Sequence, residues 1–281
     1  VEALIKAGAF DAITPERSRL LASVGLAYSY ADKQEADANQ GGLFDFDDSH
    51  AHSAAEPPLE AAPEWSIKER LSLEKTAIGF YLSGHLFDQS APEVRRIARR
   101  QIADLTDSRD PIMVAGIVSD LRVINGNRGR VAIFKLDDKS DAIEAVANEE
   151  LLNANKDLLA EDELIIVQGK CQNDRFSGGL RLTVTAVWSL AAARARFGKF
   201  VRLAPNTPVE TAMALVTDWP PQRVDKEEGA TLLGLEVRVP IRRERVSCEV
   251  ELRAASKFWP SDEALQKLAA ICPEPPEVVY E

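Results

Sequence analysis

The sequence predicts an α+β protein made of several domains, and three observations support this prediction. The apolar residues first follow a helical spacing, from Leu4 to Tyr28 and again from Trp65 to Leu82, and switch to a strand spacing after Pro111. A length of 281 residues suggests two or three modules. With 45% hydrophobic residues, the chain can bury large cores, which excludes a collagenous or wholly disordered protein.

Changes in composition and periodicity divide the chain into five segments. Residues 1–30 are predicted to be helical. Residues 31–63 contain eight acids, one base and no apolar periodicity, and such a segment cannot bury enough apolar surface to offset the entropy of ordering. We therefore expect a disordered linker there. Helices are expected over 64–110, a β-rich domain over 111–190 and a small α/β domain over 191–281.

The β-rich segment is predicted to form an OB-fold, a small five-stranded barrel. An amphipathic helix is expected within residues 148–160, between the third and fourth strand candidates. Three strands, a helix and two further strands is the element order of this fold. The strand candidates are β-branched or alternating, are bounded by turn residues, and cover residues 112–124, 130–136, 142–147, 163–171 and 180–189.

The cations of the predicted barrel concentrate near the groove that this fold uses for ligands. In an OB-fold the loops between strands one and two and between strands four and five border the face that holds single strands. A guanidinium pairs with phosphate, and an aromatic ring stacks on a base. A purely structural or protein-binding OB module is the alternative. We predict weak, salt-sensitive and sequence-tolerant binding of single-stranded DNA by Arg122, Arg128, Arg130, Lys135, Arg175, Phe176 and Arg181.

Charge, cysteines and hydrophobic runs exclude several classes of protein. The formal net charge of −11 excludes a chain that coats nucleic acid through bulk charge, so any DNA site must be local. Three cysteines lie far apart without a Cys-x-x-Cys pair, which argues against a disulfide framework or zinc site and fits a reducing cytosol. No apolar run is long enough for a membrane span, so we expect no membrane partner.

The sequence contains no recognisable catalytic centre. Asp137-Asp138 is a carboxylate pair of the kind that holds Mg²⁺, but it ends a predicted strand before a turn. The other close acids and two of the three histidines lie in the predicted linker. We therefore predict no catalytic residue, no metal ligand and no cofactor in this chain.

One compact apolar group interrupts the predicted linker, at Gln40-Gly41-Gly42-Leu43-Phe44. A glutamine amide followed by two large apolar side chains suits an apolar surface groove, with the amide forming directional hydrogen bonds. Disorder on both sides would make the group accessible. It is therefore predicted to be a docking motif, with a chance apolar cluster as the alternative.

Several stretches, taken in series, resemble the C-terminal portion of the alpha subunit of bacterial DNA polymerase III. Residues 4–11 resemble the end of that family's helix-hairpin-helix DNA-binding region, and residues 40–44 are similar to its internal motif for the sliding clamp. Residues 79–85 resemble its connecting helices, and residues 136–138 and 176–180 resemble parts of its OB domain. The resemblance covers about residues 1 to 190.

This resemblance implies that the chain is part of a cytoplasmic, replicative DNA-directed DNA polymerase, a nucleotidyltransferase that uses Mg²⁺. The catalytic aspartates would lie upstream of Val1, so this part would lack the active site. Three partners are implied: the sliding clamp (the beta subunit), held by Gln40, Leu43 and Phe44; single-stranded template DNA, guided by the barrel; and the clamp-loader tau subunit, docked on residues 191–281. A free-standing single-strand-binding or scaffold protein and a tRNA-binding OB module remain alternatives.

Overall fold

The computed structural model describes residues 1–39, 56–126, 129–174, 178–226 and 229–280. It consists of two compact units, Val1–Leu86 and Phe87–Glu281. Their boundary falls inside the segment predicted to hold connecting helices, over 64–110, so one of those helices belongs to each unit. None of the helices in the described residues has the length and apolar composition needed to cross a membrane.

The first unit is built from helices, four of which lie in its described part: α1 (Glu2–Lys6), α2 (Arg17–Ala22), α3 (Val24–Asn39) and α4 (Ile67–Ile78). A capping box begins α4. The Ser66 hydroxyl accepts a hydrogen bond from the Glu69 N–H at 3.2 Å, and the Glu69 carboxylate accepts one from the Ser66 N–H at 3.0 Å. The start of α4 is therefore fixed by local sequence.

A buried ion pair holds α2 against α4. Glu74 is fully buried and Arg17 is 6% exposed, and the Arg17 guanidinium donates to Glu74 at 2.7 Å and to Asp11 at 2.5 Å. The other Glu74 oxygen accepts the backbone N–H groups of Leu82 and Ser83 at 2.8 and 2.9 Å. Burial opposes ionisation, but hydrogen bonds from Ser83 and Arg17 outweigh it and lower the pKa of Glu74 to about 2.

The disorder predicted over residues 31–63 is wrong at both ends of that segment. Helix α3 continues to Asn39, nine residues beyond the predicted end of the helical segment at residue 30. At the far end, the Glu60 N–H donates to the Ser23 hydroxyl at 2.8 Å, and the Arg19 guanidinium donates to the Glu60 carbonyl at 3.3 Å. Helix continuation orders the first of these residues, and hydrogen bonds to α2 and Ser23 together with the half-buried Leu59 order the last of them.

The second unit begins with α5 (Ala91–Ile97) and contains the predicted barrel. Its strands close in the order β1-β2-β3-β5-β4, with β3 and β5 parallel and the other pairs antiparallel. The OB-fold prediction and its element order are therefore confirmed. The barrel consists of β1 (Ser108–Gly126), β2 (Gly129–Asp137), β3 (Ala142–Ala147), α6 (Glu149–Ala154), β4 (Leu164–Asn173) and β5 (Leu180–Trp188).

Alternate residues of each strand fill the barrel interior. Phe134 and Leu136 of β2, Ala145 of β3 and Leu182 of β5 are buried in one cluster. The residues between them consequently point outward, because successive side chains of a strand face opposite sides. This alternation determines which residues form the outer face of the barrel.

The remaining residues form a small α/β domain with its own core. Val237, Phe258 and Leu268 are among its fully buried residues. The sequence predicted one strand near residues 231–239, but the structure divides it at Gly234, where a Cβ would lie 2.7 Å from the Phe258 carbonyl oxygen.

The elements of this domain are α7 (Leu190–Phe197), β6 (Phe200–Arg202), α8 (Val209–Asp218), β7 (Gln222–Lys226), β8 (Gly229–Leu233), β9 (Glu236–Arg243), β10 (Val246–Glu251), α9 (Asp262–Ile271) and β11 (Glu277–Val279). A four-stranded sheet has the order β10-β9-β6-β11. Strands β7 and β8 form a separate hairpin.

Candidate nucleic-acid interface

The outer face of the barrel brings several predicted DNA-binding residues into register. Lys135 of β2 lies opposite Glu144 of β3, which lies opposite Arg181 of β5. Arg122 of β1 lies opposite Ile133, two positions from Lys135 along β2. Lys135, Glu144 and Arg181 alternate with buried residues and so point outward, and Arg122 shares the side of Ile133, which it faces across the pair of strands. We call this surface the outer face.

Three of the predicted cations are already paired with acids. An ion pair places a carboxylate where a phosphate would otherwise approach, so these cations attract a DNA backbone less than their charge alone suggests. The hydrogen bond from Arg130 also lowers the pKa of Glu149, which keeps that acid ionised. The pairs are Arg130 with Glu149 at 3.0 Å, Lys135 with Asp120 at 2.8 Å, and Arg181 with Asp174 at 3.0 Å and with Glu144.

Arg122 differs from these three cations. It is exposed, and no acid among the described residues forms an ion pair with it. It lies on β1 beyond the residues that pair with β4, and the neighbouring Val123 and Ile124 are 49% and 48% exposed. Of the predicted cations that the structure describes, Arg122 is therefore the best placed to meet a phosphate.

A groove of about 560 Å³ borders the outer face beside Arg130. Val131 of β2, Val146 of β3 and Thr183 of β5 contribute to its lining. These residues were not among the predicted DNA-binding residues. Strict alternation along the three strands would have placed them on the outward side, where they offer aliphatic surface to a base.

Several predicted residues do not lie on the described part of this face. Arg128, Arg175 and Phe176 lie outside the described residues. Phe134, the main aromatic residue of the predicted strands, is 1% exposed and belongs to the barrel core. The predicted clamp-binding residues Gln40, Leu43 and Phe44 also lie outside the described residues.

The Asp137-Asp138 pair has a structural role through Asp138. This carboxylate is buried and accepts hydrogen bonds from the Arg95 guanidinium at 2.5 Å and from the Ile102 N–H at 3.0 Å. Burial opposes its ionisation, but hydrogen bonds from Ser140 and Arg95 lower its pKa. Asp138 thus fastens the segment after α5 to the barrel. Across the described residues, no three side chains of His, Cys, Asp or Glu form a group able to hold a metal ion.

Comparison with known proteins assigns the chain to a family. Residues 112–190 match the family described as OB-fold nucleic acid binding domain. The chain is 42% identical over 207 residues to DNA polymerase III subunit alpha of Neisseria meningitidis serogroup A, which covers 73% of this chain and 18% of that protein. The chain is homologous to part of DNA polymerase III subunit alpha.

Alpha subunits of other bacteria show the same relation. Identity is 35% over 225 residues for Pseudomonas aeruginosa, covering 72% of this chain and 19% of that protein. For Escherichia coli K12 it is 33% over 205 residues, covering 71% of this chain and 18% of that protein. The chain thus spans less than a fifth of the length of these curated DNA polymerase III alpha subunits.

Two solved structures show a weaker likeness to this DNA polymerase III homologue. An OBody bound to hen egg-white lysozyme is 21% identical, covers 32% of this chain and 92% of that chain, and has a TM-score of 0.27. The mitochondrial single-stranded DNA binding protein Rim1 of S. cerevisiae is 12% identical, covers 29% and 93%, and has a TM-score of 0.26. At these scores the likenesses carry no argument about function.

Proposed function

We propose that this chain is a non-catalytic part of the DNA polymerase III alpha subunit and that its barrel binds single-stranded template DNA during replication. Homology over nearly three quarters of the chain supports the first statement. The second rests on one observation, the register that puts Arg122, Lys135 and Arg181 on the outward side of neighbouring strands of a closed OB barrel.

In this proposal, polymerisation is carried out by the remainder of the full-length alpha subunit. The chain spans 18% of the length of its Neisseria relative, and we assign the catalytic aspartates and their Mg²⁺ to the rest of such a protein. We assign this chain no cofactor. Its contribution is to hold the template and to connect the polymerase with cytoplasmic replication partners.

Removing acids from the outer face is expected to strengthen single-strand binding. In the Glu144→Gln, Asp120→Asn double variant, Lys135 loses its paired acid and Arg181 loses one of its two acids but keeps Asp174. Each added phosphate contact steepens the salt dependence of single-strand binding by about 0.7, so a full contact at Lys135 should add about 0.7 and raise the affinity roughly fourfold near physiological salt, with a smaller gain at Arg181. Fluorescence anisotropy of a labelled oligothymidylate over a salt series measures both quantities.

Matched variants separate a local effect from a change in net charge. Glu35→Gln with Glu274→Gln removes two exposed acids outside the outer face and should leave affinity nearly unchanged. Arg122→Gln should weaken binding. If the outer-face variant, the control variant and Arg122→Gln all had the affinity and salt slope of the unsubstituted chain, the barrel would not be a binding site for single-stranded DNA.

We also propose that Gln40, Leu43 and Phe44 bind the sliding clamp, a proposal supported by the sequence motif and by the homology. Burying an apolar side chain of this size contributes about 1.5–3 kcal/mol, so Leu43→Ala with Phe44→Ala should weaken clamp binding by roughly 100-fold or more. Surface plasmon resonance on immobilised bacterial clamp measures this loss. Asp47→Ala with Asp48→Ala is the control from the same segment, and a double Leu-Phe variant that binds like the parent would exclude the motif.

The two ends of the chain have proposed roles as well. We assign residues 1–30 to the end of a helix-hairpin-helix DNA-binding region, supported by the short helices α1 and α2. Residues 191–281 are assigned to docking of the clamp-loader tau subunit, supported by their position after the barrel and by their separate core. Binding of a tau fragment to the chain with and without these residues tests the second assignment.

A further inference from the structure

A second cationic surface lies in the unit Phe87–Glu281, apart from the residues of the outer face. It is a groove of about 520 Å³ that opens to solvent. No acid is among the described residues that line it. Four cations and two aromatic side chains contribute to its walls: Arg96, Arg99, Arg196, Lys199, Phe197 and Tyr280. We call it the cationic groove.

Three elements that are distant in sequence bring these cations together. The guanidinium of Arg96, in the last turn of α5, donates to the Val278 carbonyl of β11 at 3.3 Å. The Lys199 N–H, in the turn between α7 and β6, donates to the Val279 carbonyl at 2.8 Å. Strand β11 therefore contacts both the end of α5 and the turn after α7, and Tyr280 follows it directly.

The turn after α7 is fixed by a glycine and by aromatic packing. A Cβ on Gly198 would lie 2.6 Å from the Arg194 carbonyl oxygen, so a larger residue would displace the neighbouring Lys199. The guanidinium of Arg196 lies 5.5 Å from the ring centroid of Trp188 and 5.8 Å from that of Phe197. These ring contacts orient the cation, and no described residue accepts a hydrogen bond from its N–H groups.

One acid lies close to one of the groove cations. Glu277 lies 3.6 Å from Arg96 and equally far from Arg202, so it offsets part of one groove cation. Cations also stabilise the C-terminal end of a helix, but this effect is confined to the last turn. Arg99 and Lys199 follow the ends of α5 and α7 and still line the same groove.

We propose that the cationic groove binds phosphate groups of a nucleotide chain, as a contact additional to the outer face. Guanidinium groups match phosphate oxygens with paired hydrogen bonds, and the rings of Phe197 and Tyr280 offer surface for an adjacent base. Phosphate also occurs on free nucleotides. An open groove suits a strand that continues past both ends, whereas a small ligand is usually enclosed over most of its surface. This inference rests on the proposed function, because it extends the path of the strand bound by the barrel.

The test uses the whole chain and the Arg99→Gln, Lys199→Gln double variant, in which two exposed groove cations are removed. We expect affinity for a fluorescein-labelled oligothymidylate of about 16 nucleotides to fall roughly tenfold near physiological salt. The salt slope should decrease by about 1.4, at 0.7 per phosphate contact. Lys33→Gln with Arg253→Gln changes the net charge equally at exposed positions outside the groove, and thermal unfolding confirms that all variants fold.

The outcomes distinguish this inference from the proposed function. If the groove variant and the control variant bind the oligothymidylate with equal affinity and equal salt slope, the proposed phosphate contact in the groove is overturned. The proposed function still stands in that case if Arg122→Gln weakens binding. If Arg122→Gln has no effect on binding either, both the groove inference and the proposed single-strand site fail.

Adenosine triphosphate serves as a second probe. If the groove variant loses triphosphate binding while strand affinity is unchanged, the groove binds free nucleotides and the strand contact is overturned. If polyglutamate displaces the oligonucleotide but the triphosphate does not, the ligand of the groove is an acidic peptide, and the proposed contact with a nucleotide chain is overturned.

Discussion

The Glu74→Ala variant is expected to lose about 3–5 kcal/mol of unfolding free energy in the unit Val1–Leu86, because the buried Arg17 loses its buried partner and two backbone N–H groups lose their acceptor. Arg17 is 6% exposed and, among the described residues, would keep only Asp11 as an ionic partner. The backbone N–H groups of Leu82 and Ser83 would lose their acceptor as well. Urea-dependent amide hydrogen exchange read on α4 measures the loss in this unit.

The pH dependence of this loss tests its electrostatic origin. The pKa of Glu74 is lowered from 4.5 to about 2, so its contribution is fully present above pH 4.5 and disappears as the pH falls toward 2. The difference between parent and variant should shrink over that range. Ser72→Ala, an exposed change on the same helix, should stay within about 0.5 kcal/mol of the parent. A Glu74→Ala variant as stable as the parent at neutral pH would show that Arg17 does not depend on this partner.

The barrel was predictable because its signal is local. Alternating apolar residues such as those around Phe134 and Leu136 repeat with the period of a strand, and turn residues separate the five runs. The end of α3 was not predictable in the same way. Polar residues after residue 30 have the composition of a linker, yet helix propagation adds one backbone hydrogen bond for each residue that it orders.

The state of the candidate site depends on contacts between distant parts of the chain. Arg181 appeared in the sequence as an available cation, but Glu144, which pairs with it, lies 37 positions earlier. The sequence does not indicate the cationic groove, because the groove combines the C-terminal ends of α5 and α7 with Tyr280, which follows β11. Charges that are scattered in sequence become one surface only through the packing of these elements, which no local pattern encodes.

The Arg194→Met variant is expected to destabilise the unit Phe87–Glu281 by about 3–5 kcal/mol. The Arg194 side chain is only 5% exposed. It donates two hydrogen bonds to Glu93, at 2.8 and 2.7 Å, and one to Asp262 at 2.6 Å. The Tyr280 hydroxyl donates to the same Glu93 carboxylate at 2.7 Å. Urea unfolding followed by tryptophan fluorescence measures the change.

The charge of Glu93 determines most of this effect. Burial opposes its ionisation, and hydrogen bonds from Arg194 outweigh that opposition and lower the pKa of Glu93. Without Arg194 the pKa should instead rise above its ordinary value of 4.5, so the variant regains stability relative to the parent as the pH falls through the raised value. A deficit that stays constant from neutral to acidic pH would show that Arg194 acts through packing alone.

A double-mutant cycle with Glu93→Gln isolates the pair itself. The amide oxygen of glutamine can still accept the Tyr280 hydrogen bond, so adding Glu93→Gln to Arg194→Met should recover about 0.5–3 kcal/mol relative to the sum of the single changes. Because Tyr280 lines the cationic groove, the same network also positions one wall of that site. Arg194→Met should therefore weaken oligothymidylate binding without removing any groove cation, and the added Glu93→Gln should restore part of that binding. If the added Glu93→Gln restored stability but not oligothymidylate binding, the network around Glu93 would not position the groove.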